Sequence, residues 1–116
     1  MVLYDNLPVY KESYDLLIQI FEVVKKFEKQ YKYTIGDKIK NEIVDLITNI
    51  YRANSSFETR ILNIKRAREQ IEILKLYFRL SRDLKILSIN KFADLALKIE
   101  NLSKQLYSWE KSCIKN

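Results

Sequence analysis

The chain has 116 residues, the length of one domain, with 47% apolar and 31% charged residues and a net charge of +6. It contains no His, one Cys and one Gly. That removes the commonest general base, any cysteine zinc cluster and any glycine-rich phosphate cradle.

A domain of this size buries roughly two-thirds of its unfolded surface, so a modest core is feasible. One Gly and one Pro leave little turn chemistry, which predicts a few long elements joined by short connections. The lone Cys113 has no intrachain partner, and a reducing, cytoplasmic setting is expected. Residues 1–10 carry Asp5 and Pro8 and no basic n-region, so they do not read as a signal peptide. No stretch approaches the roughly 20 apolar residues of a membrane span.

The first helix is expected over residues 8–32, with Pro8 in its first turn, where a missing N–H costs nothing. Tyr10, Tyr14, Leu17, Phe21 and Val24 form one apolar line, and Val9, Leu16, Ile20, Val23 and Phe27 another. Lys25, Lys26, Lys29 and Lys32 cluster at its end, where cations also favour the helix dipole. The second helix is expected over residues 35–54, with the Thr34 hydroxyl as cap and Asp37 completing a box. Gly36 in its first turn costs about 1 kcal/mol against Ala.

The third helix, expected over residues 56–82, is opened by the S-x-x-E capping box of Ser55 and Glu58. At about 100° per residue it shows three stripes. Phe57, Ile61, Ile64, Ala67, Ile71, Leu74 and Phe78 form the inward one. Leu62, Ile73, Leu76 and Leu80 lie nearly opposite. Because large apolar patches are rare on monomers, these four are expected to form an oligomer interface. Between them runs a basic line of Lys65, Arg68, Lys75, Arg79 and Arg82. Tyr77 lies near the same end. Asp83 to Ser88 make the longest connection, and Ser88 caps a fourth helix expected over residues 89–112. Four such helices predict an all-α, antiparallel up-down-up-down four-helix bundle in one domain, residues 1–116.

No catalytic residue, metal site or cofactor is expected. Glu69, Glu72, Asp94 and Glu100 read as ion-pair partners on polar arcs. Residues 55–87 carry eight basic and four acidic side chains, residues 88–116 five and three, and residues 1–54 sum to zero. Such a basic half suits an anionic partner, most often nucleic acid. The basic line spans roughly 25 Å, enough to track several phosphates.

Four segments then carry a family resemblance: Tyr33-Thr34-Ile35-Gly36-Asp37-Lys38-Ile39, Tyr51-Arg52-Ala53-Asn54, Arg79-Leu80-Ser81-Arg82-Asp83-Leu84-Lys85-Ile86-Leu87-Ser88, and Leu106-Tyr107-Ser108-Trp109-Glu110-Lys111-Ser112. Over about residues 31–112 the chain resembles the four-helix-bundle family of the accessory variability determinant (Avd) proteins of diversity-generating retroelements. A related group is encoded in intervening sequences of bacterial 23S ribosomal RNA genes. The resemblance implies a non-catalytic homopentamer that binds nucleic acid, RNA or DNA largely without sequence preference. It also implies binding to the retroelement's reverse transcriptase, and support of mutagenic retrohoming. It adds Lys85 to the candidate nucleic-acid contacts, inside the same segment as Arg79 and Arg82. The alternative is a structural adaptor of the 23S rRNA intervening-sequence type that docks a protein without nucleic acid.

Overall fold

A computed structural model describes residues 6–115, with side chains to Ile114. Residues 1–5, on which part of the signal-peptide reading rests, lie outside the described residues. The elements are α1 (Pro8–Lys25), α2 (Lys29–Lys32), α3 (Ile35–Ser55), α4 (Arg60–Asp83) and α5 (Ile89–Lys115). No strand occurs among the described residues. The four long helices form an antiparallel bundle 46 Å long and about 20 Å across. Around it, α1 neighbours α3, α3 neighbours α4, α4 neighbours α5, and α5 closes back on α1. One core runs the length, through Leu16, Ile20, Ile43, Ile50, Ile71, Leu74, Leu95, Ile99 and Leu106.

The first helix stops earlier than its periodicity predicts. It ends at Lys25, and the N–H groups of Lys26 and Phe27 donate to Val23 O and Val24 O at 3.1 and 3.0 Å, a tightened last turn. The chain then folds back through α2, which buries Phe27 and packs Tyr31 on the core. Gly36 is what this return needs. A Cβ there would sit 2.7 Å from Val24 Cγ1 and 3.3 Å from Tyr31 O. Thr34 does not cap α3: its hydroxyl donates backwards to Gln30 O at 2.9 Å, closing the α2 turn instead.

The capping box at Ser55 and Glu58 does not form either. Ser55 lies in the last turn of α3 and donates to Tyr51 O at 2.9 Å. The next helix begins at Arg60, not at residue 56. Arg60 supplies the missing cap from the other side. Its Nε donates to Ala53 O at 2.7 Å and Nη2 to Asn54 O at 3.2 Å, satisfying the terminal carbonyls of α3. Phe57, expected inward, is 84% exposed and sits under the Arg60 guanidinium at 5.7 Å. The next connection behaves as expected. Ser88 Oγ accepts from Lys91 N–H at 3.1 Å. Helix α4 ends in a Schellman motif, with Ile86 N–H donating to Ser81 O and Lys85 N–H to Arg82 O. Lys85 takes the left-handed position, φ 64°, that Gly usually fills.

The α1–α5 seam is the most polar. Gln19 donates to Asp94 at 2.5 Å, Lys98 donates to Gln19 at 2.5 Å and pairs with Asp94 at 3.4 Å, and Gln105 donates to Glu12. The Gln19 hydrogen bond, helped by Lys98 and Lys91, holds the Asp94 carboxyl below the ordinary aspartate range.

Gly36→Ala gains about 1 kcal/mol of helix propensity but overpacks against the stiff, buried Val24, a cost of about 1–3 kcal/mol. A net loss of stability is expected in urea unfolding. Asp94 has a folded pKa below its unfolded one, so its contribution is present above about pH 4 and fades as pH falls through the lower folded value. Asp94→Asn is expected to flatten that acid limb of stability, measured by thermal unfolding between about pH 2 and pH 5.

Candidate nucleic-acid interface

Burying Ile64, Ala67, Ile71, Leu74 and Phe78 fixes the rotation of α4 about its axis. Everything else on that helix follows at 100° per residue. Leu62, Ile73, Leu76 and Leu80 then face away from the core and are exposed, Leu76 by 58%. Leu84, just past the helix, is exposed as well. Leu62 and Leu76 are the most open of the stripe, and Ile73 and Leu80 keep 37% and 39% of their surface exposed among the described residues.

The basic line falls on the flank of α4 that meets α5. Three of its members are engaged there. Arg68 Nη1 donates to Glu110 Oε1 at 2.7 Å, with Glu110 buried and Arg68 partly so. Lys75 pairs with Glu72 and Glu100, each at 3.2 Å. Burial penalises the Lys75 charge, but the two carboxylates outweigh it and raise its pKa. Arg82 pairs with Asp83 at 3.0 Å and lies 4.5 Å over the Phe92 ring. A cleft of about 430 Å³ between these helices is lined by Lys65, Arg68, Ser103 and the carboxylates of Glu69, Glu72 and Glu110. A cleft of such mixed charge does not select anions.

Lys65, Arg79 and Lys85 are exposed and make no ion pair among the described residues. Tyr77, the aromatic that sequence sets beside the line, packs against the core. Two aromatics of α5 meet its cations: Phe92 lies under Arg82, and Tyr107 has Arg68 at 5.3 Å from its ring centre, with Lys111 of α5 itself at 5.8 Å.

The antiparallel topology adds an arrangement that the linear charge count hides. The end of α1, α2, the start of α3, the end of α4 and the start of α5 all lie at one pole of the bundle. That pole carries Lys25, Lys26, Lys29, Lys32, Lys38, Lys40, Arg79, Arg82, Lys85 and Lys91 against Glu22, Glu28, Asp37, Asp83 and Asp94. Ten cations meet five carboxylates, so five of the net +6 charges collect there. Residues 1–54, neutral as a segment, thus supply six of the ten cations of a strongly basic surface. The lysines after Val24 signalled it in the sequence, but the helix dipole explained them locally.

Among the described residues no group of His, Cys, Asp and Glu is placed to hold a metal, and no helix is long and apolar enough to cross a membrane. The family model described as bAvd-like matches residues 7–113. No curated protein matches the chain.

The intramolecular pairs set an expectation for mutagenesis. Arg68→Ala leaves the buried Glu110 carboxylate without its partner and is expected to cost about 2 kcal/mol. Lys65→Ala and Arg79→Ala are expected to stay within about 0.5 kcal/mol of the parent. Urea unfolding followed by circular dichroism checks both.

Proposed function

Because the chain belongs to the bAvd-like family, a non-catalytic family of four-helix bundles, we propose that it is a nucleic-acid-binding accessory protein of a retroelement reverse transcriptase. In this reading it self-associates, as a homopentamer by family resemblance, and supports mutagenic retrohoming in the cytoplasm. It holds template RNA or its cDNA beside the polymerase and raises effective concentration without making or breaking bonds.

The observation that carries the reading is the surface of α4. An exposed apolar stripe, Leu62, Ile73, Leu76 and Leu80, is available for a second copy. Lys65, Arg79 and Lys85 stand free beside it for phosphates, with the basic pole beyond. Arg68, Lys75 and Arg82 also belong to the proposed contact line, but each must first exchange its carboxylate for a phosphate.

That internal neutralisation favours a second reading, the structural adaptor that docks a protein partner and leaves nucleic acid alone. Salt separates the two. Contacts to phosphate release counterions, so affinity falls steeply as salt rises, with a log–log slope near −0.7 per contact on single strands. Fluorescence anisotropy with labelled RNA is expected to show this slope. The triple variant Lys65→Gln, Arg79→Gln, Lys85→Gln is expected to bind several-fold more weakly while remaining fully helical. Absent or salt-indifferent binding supports the adaptor.

A further inference from the structure

Among the described residues, Tyr33 is the most exposed aromatic at the basic pole; Phe21, also exposed there, has Lys40 Nζ 5.5 Å from its ring centre. Tyr33 is 60% exposed in the turn between α2 and α3, with Lys32 Nζ 5.8 Å from its ring centre. A tyrosine exposed to this degree packs little of its ring against the fold. Its nearest sequence neighbours include Lys29 and Lys38, both exposed and without an ion pair among the described residues. On the α5 side of the pole, Lys26, Lys91, Ser88 and one carboxylate, Glu22, line a cleft of about 180 Å³ floored by Phe27 and Leu87, beside the α4–α5 turn.

Unpaired cations flanking an exposed ring are what a nucleic-acid strand with unstacked bases requires. Lysines hold the phosphates as point charges, and an aromatic face accepts whichever base arrives. A duplex can use the cations but not the ring, because its bases are already stacked. We propose that the pole of the bundle is a binding site for single-stranded nucleic acid, with Tyr33 as its base-stacking platform. The site adjoins the end of the α4–α5 flank, with which it shares Arg79, Arg82 and Lys85, and it rests on the nucleic-acid reading above.

Its position is compatible with assembly. The apolar stripe on α4 lies on the side of the bundle, so side-by-side association leaves the ends open. In a closed cyclic assembly whose symmetry axis runs along the bundles, the subunits point the same way. All copies of the pole then lie on one rim, and a long strand can engage several at once.

The test compares a labelled oligouridine strand with an RNA duplex of equal length, in moderate salt. The full-length protein is measured beside Tyr33→Ala, Tyr33→Phe and the pair Lys26→Gln, Lys91→Gln. Tyr33→Ala is expected to weaken strand binding roughly ten-fold and leave duplex binding within about two-fold. Tyr33→Phe is expected to retain strand binding. The lysine pair is expected to weaken both ligands and to flatten the salt slope. Tyr33 is exposed, so helical content is expected to be unchanged, and a circular dichroism spectrum verifies that. Equal loss on strand and duplex, or no loss from Tyr33→Ala, overturns the stacking site while the nucleic-acid function stands. A parent protein that binds neither RNA overturns both. Binding to phosphatidylserine vesicles with no strand binding does the same and assigns the pole to an anionic lipid surface.

Discussion

The rotation of one helix decides most of what this molecule presents to its surroundings. Helix α4 must bury Ile64, Ala67, Ile71, Leu74 and Phe78, which are almost wholly withdrawn from solvent. Full burial of such a side chain is worth about 1.5–3 kcal/mol, so turning the helix would cost far more than any surface contact returns. With that side fixed, a period of 3.6 residues sends Leu62, Ile73, Leu76 and Leu80 outward. It also sends Lys65, Arg68, Lys75, Arg79 and Arg82 to the α5 side. An outward apolar stripe adds nothing to the core of a solitary bundle, and the proposed self-association rests on it.

The inner and outer stripes of α4 were both legible in the sequence because periodicity is a local property. So were the four long helices, the Ser88 cap and the connection after Asp83. The end of α1 was not. No Gly or Pro marks Lys25, and the apolar pattern continues through Phe27 without interruption. The break exists because Phe27 and Tyr31 bury better against the start of α3, a contact possible only because Gly36 lacks a Cβ. The α3–α4 corner was misread for a similar reason. Ser55 and Glu58 have the spacing of a capping box, yet the deciding contact is Arg60 reaching back to Ala53 O and Asn54 O. A long side chain that caps the preceding helix leaves no fixed spacing to read.

Electrostatics was the least legible layer. The acids that engage the basic line include Glu100 and Glu110, which lie far along the chain and meet it only when α5 packs beside α4. Counting charge by segment therefore overstated the free charge on α4 and missed the pole. Residues 1–54 sum to zero, but folding sends most of their cations to one end and leaves Glu12, Asp15, Glu42 and Asp45 away from it. Burial, with Asp45 nearby, holds the Glu42 pKa above its ordinary value. The self-repulsion of a basic pole tends to destabilise an isolated bundle, and an anionic ligand would relieve it. Free-cation placement, rather than total charge, is the property to compare among members of this family.

The central claim is that the outer face of α4 is an interface rather than a surface. Sedimentation equilibrium of the purified chain at micromolar concentration tests it most directly. The account predicts a mass several times the 13.9 kDa of one chain, falling to a single, still helical subunit in the Leu76→Glu, Leu80→Glu variant. A parent protein that sediments as one chain under those conditions would contradict it.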